Sequence, residues 1–197
     1  MRIQSPSIRQ SRAAKKWLKW PNYLETYLES PEVILDIGAN IGYSSIFFSR
    51  NYPYATVYAF EPVEENYDCL VQNIEDYPNI VAYNFALGQS VGELTLSLPD
   101  ATLENLGAMS AKGCGARAEK VPMFPLDARY WGKVDFIKID VEQYECEVLM
   151  GGEATLRKHW PLIQMEVNDE AEEYLFSIGY KHITRRSGDN FYVKSGT

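Results

Sequence analysis

The chain has 197 residues, of which 46% are hydrophobic, 13% aromatic and 23% charged, with 13 Gly and 10 Pro. That composition fits one ordinary globular domain and excludes disordered, collagen-like and disulfide-stapled miniature classes. The formal charge of −8 is uneven: residues 1–24 hold Arg2, Arg9, Arg12, Lys15, Lys16 and Lys19 and no acid, which leaves 13 basic against 27 acidic side chains, a balance of −14, on the rest.

Such an acidic body repels phosphate and anionic lipid, so nucleic-acid contact would fall to the basic arm and is disfavoured as the main interaction. The uncharged run Ile37–Ser49 is far short of a membrane span, and no apolar run of signal-peptide length precedes Pro21. Cys69, Cys114 and Cys146 are odd in number and widely spaced, which favours reduced thiols in the cytoplasm. With His159 and His182 the only histidines, a histidine-rich metal site is excluded.

In chain order, Trp17, Trp20, Leu24, Tyr27 and Leu28 lie near helical spacing, with Pro21 starting a fresh helix. Residues 1–30 therefore read as a basic arm with a surface helix, and residues 31–197 as the domain. Beyond residue 30, short apolar runs alternate with longer amphipathic ones, the mark of βαβ units. Strands are predicted at Val33–Ile37, Thr56–Phe60, Ile80–Phe85, Val134–Ile139 and Leu162–Val167, covered on both faces by their near-continuous apolarity. Helices are predicted at Gly42–Tyr52, Val63–Tyr77 and Tyr144–Trp160, the second ended by Pro78-Asn79 and the third by Pro161. Gly92–Leu98 places Leu94, Leu96 and Leu98 at period two, an edge strand or hairpin with one wet face. Pro99 to Glu119 has no period and reads as a functional loop. A helix at Asp169–Ile178, ended by Gly179, precedes strands Lys181–Arg185 and Phe191–Lys194 around a Ser187–Asn190 turn, an antiparallel edge pair.

The segment Asp36-Ile-Gly38-Ala-Asn40-Ile-Gly42-Tyr-Ser44 falls where the first strand turns into the first helix. There glycines permit a sharp bend and close approach of a ligand to the backbone. Asn40 stands where a dinucleotide turn has its second glycine, so the order is not that of nicotinamide enzymes. Glu61, at the tip of the second strand, suits a ribose diol or caps the helix that follows. In Asp135–Glu142, strand alternation puts Phe136, Lys138 and Asp140 on one face, so Lys138 pairs with Asp140 or keeps it ionised for chemistry. Glu166 ends the next strand. Asp36, Glu61, Asp140 and Glu166 thus lie at the carboxyl ends of four predicted strands, where open α/β sheets bind ligands.

DIGANIGYSS (Asp36–Ser45), YAFEP (Tyr58–Pro62), NFALG (Asn84–Gly88) and DFIKIDVEQYECEVLMGG (Asp135–Gly152) together resemble the FkbM-type S-adenosylmethionine-dependent methyltransferases. The resemblance covers about residues 31–195 and implies an α/β, three-layer Rossmann-like class I methyltransferase fold, a mostly parallel seven-stranded sheet with an antiparallel last strand. It implies S-adenosylmethionine as cofactor and a small-molecule or glycan hydroxyl as acceptor. By position, Gly38, Asn40 and Gly42, framed by Asp36 and Ser44, would line the methionine part of the cofactor. Glu61 would hold the ribose and Ala86 would lie near the adenine. Asp140 and Glu142 would sit beside the transferable methyl, with Asp140 accepting the acceptor's proton and Lys138 keeping it charged. Gln143 stands where the family pattern leads one to expect glycine, adding bulk at the pocket rim.

Competing expectations are a nicotinamide dehydrogenase, a non-catalytic module that keeps the fold, and an RNA ribose methyltransferase using the basic arm. Within the first reading, Asp140, Glu142 and Glu166 offer oxygen ligands to Mg²⁺.

Overall fold

The computed structural model describes residues 24–98, 117–186 and 188–196; Trp17, Trp20 and nearly all of the 99–119 loop fall outside them. Among the described residues, no helix is long and apolar enough to cross a membrane.

Strands β1 (Val33–Ile37), β2 (Thr56–Phe60), β3 (Ile80–Tyr83), β7 (Val134–Ile139), β8 (Leu162–Glu166), β9 (Tyr180–Arg186) and β10 (Asp189–Lys194) form one seven-stranded sheet in the order β3-β2-β1-β7-β8-β10-β9. The first five pair in parallel; β10, the last strand, runs antiparallel to both β8 and β9. The strand order reverses beside β1, so the crevice at the carboxyl ends of β2, β1 and β7 is the natural ligand position.

The apolar pattern explains the layers. All five residues of β1 are buried. Leu35 and Ile37 join Ile137, Ile139 and Ile163 on one face, against Val148, Leu149, Leu156 and Leu175. Ile34, Phe136, Leu162 and Phe191 occupy the other, with Ile46, Phe48 and Leu70. Helices α1 (Tyr43–Asn51) and α2 (Glu64–Asn73) supply the second group; α3 (Glu145–Met150), α4 (Glu153–His159) and α5 (Asp169–Ser177) supply the first. Leu24 and Leu28 of the predicted surface helix are buried in this second core.

Four expectations are corrected. The helix expected over Tyr144–Trp160 is two, broken at Gly151-Gly152. A Cβ on Gly151 would lie 1.9 Å from the Gly88 carbonyl oxygen, and the Asp127 carboxylate accepts from the Ala154 and Thr155 N–H groups to start α4. The strand expected over Ile80–Phe85 stops at Tyr83, and β4 (Ala86–Leu87) leaves the main sheet to join a second one of order β4-β6-β5. There β5 (Gly92–Leu98) is an edge as expected, but of this second sheet, paired with β6 (Arg117–Phe124), whose first three residues belong to the loop that the sequence predicts up to Glu119. At the C-terminus Asp189 pairs with Arg186, so Asp189 and Asn190 belong to the strand and not to the turn, and the outer edge is β9.

Candidate active site

Three strand ends build the site. After β1, the Gly38 and Ala39 N–H groups donate to the Phe60 carbonyl at 3.0 and 2.9 Å, while Asp140 N donates to the Ile37 carbonyl at 3.0 Å. The turns after β1, β2 and β7 are thereby tied together. Gly38 has φ +78°, and a Cβ there would fall 1.9 Å from the Asp140 carbonyl oxygen, so only glycine fits. Asn40 adopts φ +51°, a left-handed conformation that Asn tolerates better than most residues. Its N–H donates to Glu61 Oε2 at 2.9 Å.

Beneath this turn lies a buried charge network. Asp36 is fully buried; its Oδ2 accepts from the Ser44 and Ser45 hydroxyls at 2.6 and 2.5 Å. Its Oδ1 faces Lys138 Nζ at 3.0 Å. The same Nζ donates to the Gly38 carbonyl at 3.0 Å and lies 3.8 Å from Asp140 Oδ2. Lys138 therefore serves Asp36 and the glycine turn more closely than the Asp140 partner that strand alternation proposed. Burial favours its neutral form, but Asp36 and Asp140 outweigh burial and hold its proton more tightly than usual.

Glu61, almost fully buried, also accepts from Val63 N at 3.0 Å and Asn66 Nδ2 at 3.4 Å. It braces the start of α2 and the Asn40 turn at once. Burial pushes its carboxyl up to about 6, against the pull of these donors and of Lys138.

The cleft above encloses about 730 Å³ of empty space, part of it open solvent at its mouth. Gly38, Asn40, Glu61, Ala86, Asp140 and Glu142 line it, together with Phe85, Leu94, Leu96 and Tyr144. Asp36, Gly42, Ser44 and Lys138 do not line it. The first and last two form the buried support, and Gly42, at φ +93°, caps α1 against Leu70. The expectation of four carboxylates facing one crevice is therefore corrected: Glu61 and Asp140 line it, Asp36 is consumed by the two serines and Lys138, and Glu166 lies exposed outside.

After Asp140 the backbone is unusual. Glu142 and Gln143 are consecutive non-glycine residues with φ +54° and +75°. Gln143 is exposed, does not line the cleft, and donates its N–H to Glu145 Oε1 at 3.3 Å. Glycine suits this position because of the left-handed φ, not because of bulk at the rim. Glu142 is pushed up to about 7, first by burial and then by the charges of Asp140, Glu166 and Glu145. Tyr144, which follows, donates its hydroxyl to Met123 Sδ at 3.5 Å. Leu94, Leu96, Phe85 and Tyr144 were not anticipated as site residues. The period-two leucines marked a strand face, but nothing local showed that the face closes over Ala86. Among the described residues, no three His, Cys, Asp or Glu side chains are grouped to hold a metal ion.

The sequence profile of the methyltransferase FkbM domain matches residues 36–182. The chain belongs to this family. Methyltransferase sdnD of Sordaria araneosa is 28% identical over 176 residues, covering 70% of this chain and 65% of that protein. The hexuronic acid methyltransferase AglP of Haloferax volcanii is 27% identical over 124 residues, covering 62% of this chain and 51% of that protein. The chain thus spans between half and two-thirds of the length of these relatives. Among solved structures, methyltransferase FkbM from Methylobacillus flagellatus superposes with a TM-score of 0.59 at 19% identity, over 87% of this chain and 46% of that one. The sheet order and its antiparallel last strand make this FkbM domain a class I methyltransferase fold. The dehydrogenase expectation falls with this assignment.

Proposed function

We propose that this FkbM domain is an S-adenosylmethionine-dependent methyltransferase acting on a hydroxyl of a neutral sugar or similar small metabolite. The observation that carries the reading is the gathering of Gly38, Asn40, Glu61, Ala86, Asp140 and Glu142 around one cleft, the residues that the family resemblance assigns to donor and methyl group. The cleft suits the donor. Gly38 lets the turn after β1 pack directly against the Asp140 backbone at the cleft wall, Glu61 offers a fixed carboxylate for a ribose diol, and Phe85, Leu94 and Leu96 flank Ala86 with apolar surface for adenine. Bound there, the cofactor supplies a methyl carbon made electrophilic by a cationic sulfur.

The chain's own residues then hold the two reactants in line and exclude water, which supplies much of the acceleration for a displacement of this kind. Three carboxylates and no Lys or Arg stand among the described lining residues. That supports a neutral acceptor, while the likeness to a hexuronic acid methyltransferase supports a sugar. Cys69 and Cys146 are free thiols, which supports a cytoplasmic setting.

The test combines calorimetry with S-adenosylhomocysteine or NAD and mass spectrometry of reactions with neutral hexosides, amino sugars, hexuronic acids and cell metabolites. Binding of S-adenosylhomocysteine and a methyl gain on a neutral hydroxyl compound are expected. No binding, or binding of NAD instead, overturns the reading.

A further inference from the structure

We propose that Glu145 and Asn168 are positioning residues, a buried link through which the end of β8 fixes the cleft-lining loop Glu142–Tyr144. The inference rests on the methyltransferase reading above and deepens it, adding a fourth strand end to the three that build the site.

Glu142 and Tyr144 line the cleft from either side of Gln143. Glu142 and Gln143 hold consecutive left-handed backbones, φ +54° and +75°. Such conformations are unfavourable for L side chains and persist only where the surroundings over-determine them. Here the Gln143 N–H donates to Glu145 Oε1 at 3.3 Å. Glu145, the first residue of α3, is 1% exposed, and its other oxygen, Oε2, accepts from Asn168 Nδ2 at 2.7 Å.

Asn168 stands two residues beyond β8 and caps α5, its Oδ1 accepting from the Ala171 N–H at 3.0 Å. That bond fixes which way the amide faces, so Nδ2 is the group it offers to Glu145. A chain of three hydrogen bonds thus runs from α5 through Asn168 and Glu145 to the Gln143 N–H. Its frame is rigid, because Cys146, Val148 and Leu149 of α3 share one core with Ala171 and Leu175 of α5. Glu166, the carboxylate expected from β8, lies exposed outside the cleft; Asn168 is what that strand end contributes instead.

The donor and acceptor pattern makes the link specific. Two donors face Glu145, and a carboxylate meets both where an amide meets one. In Glu145→Gln the new Nε2 donor opposes Asn168 Nδ2. In Asn168→Asp two carboxylate oxygens oppose each other. The double variant Glu145→Gln/Asn168→Asp reverses the bond and restores the chain: the amide at 145 donates to one oxygen at 168, the other oxygen still caps α5, and the carbonyl at 145 still accepts from Gln143.

The test compares full-length wild type, both single variants and the double variant. Hydrogen exchange of the Gln143 amide is followed by NMR, and S-adenosylhomocysteine affinity by calorimetry. Each single variant should exchange about tenfold faster and bind about fivefold more weakly or worse; the double variant should lie within about twofold of wild type in both. Should a single variant fail to fold, Asn168→Ser, which keeps a cap on α5 and deletes the donor to Glu145, is expected to show the same two losses. Unchanged exchange or unchanged affinity in a folded single variant overturns the proposal, even if that variant is less stable in urea, because a merely structural pair would move stability alone. A double variant as weak as the singles also overturns it. A wild type that binds no S-adenosylhomocysteine overturns the methyltransferase reading, and the Gln143 exchange rates then decide the role of the pair by themselves.

Discussion

Replacing Lys138 by Met tests the network under the glycine turn, because Met keeps the apolar stem and deletes only the ammonium. Three contacts disappear: the ion pair to Asp36 Oδ1 at 3.0 Å, the hydrogen bond to the Gly38 carbonyl at 3.0 Å, and the looser pairing with Asp140 at 3.8 Å. Asp36 stays fully buried, with Ser44 and Ser45 on Oδ2 and no hydrogen bond to Oδ1. Removing one partner of a buried pair costs about 3–5 kcal/mol, because the other charge is left uncompensated. The orphaned Gly38 carbonyl adds about 1 kcal/mol, and the partly exposed Asp140 adds little. The loss of about 4–6 kcal/mol is a large share of the 5–15 kcal/mol typical of a domain. Urea denaturation of wild type, Lys138→Met and the double variant Lys138→Met/Asp36→Asn measures it. The double variant should regain at least half the loss, because the stranded charge is gone. A single variant within about 1 kcal/mol of wild type would refute the claim that Lys138 compensates Asp36.

Gly38→Ala should lose measurable S-adenosylhomocysteine affinity and about 3 kcal/mol of stability, since the new Cβ overlaps the Asp140 carbonyl in a left-handed backbone; calorimetry and denaturation read both. Gln143→Gly should gain about 0.5–1 kcal/mol in chemical denaturation, as relief of the φ +75° strain exceeds the entropy glycine adds to the unfolded chain. For Glu142, the folded carboxyl titrates at about 7 and the free one at 4.5, so its contribution to wild-type stability is fully present below pH 4.5 and is lost as pH rises to about 7. Glu142→Gln should therefore melt higher than wild type at pH 8 and level with it at pH 4, read by thermal unfolding.

Much of the fold was legible because β1, β2, β7 and β8 are buried on both faces and announce themselves as short apolar runs. Strand β6 was not. Of Arg117–Phe124 only Val121 and Met123 are buried, and two residues make no readable period, particularly with Pro122 between them. The break at Gly151-Gly152 was hidden for another reason: helical spacing continues across it, and what breaks the helix is the Gly88 backbone far away in sequence. The site was legible wherever the backbone demanded a special residue, as at Gly38 and Gly42. Its charge pairing was not. Alternation joins Lys138 to Asp140 two residues on, whereas the closer partner, Asp36, comes from the β1–β7 register, which no local pattern encodes.

The left-handed non-glycine residues explain how this edge of the sheet is prepared for a ligand. Of the four among the described residues, Asn40, Glu142 and Gln143 follow β1 and β7, and only Trp160 lies elsewhere. Each such conformation costs on the order of 1–2 kcal/mol, so the turns would relax if the sheet did not over-determine them. The ties that prevent this come from buried side chains and are already made: Lys138 holds the Gly38 carbonyl, Glu61 holds the Asn40 N–H, and Glu145 holds the Gln143 N–H. A ligand entering the cleft therefore meets walls whose polar groups are ordered beforehand. It need not repay the entropy of arranging them, and more of its contact energy is left for affinity and for aligning the reacting groups.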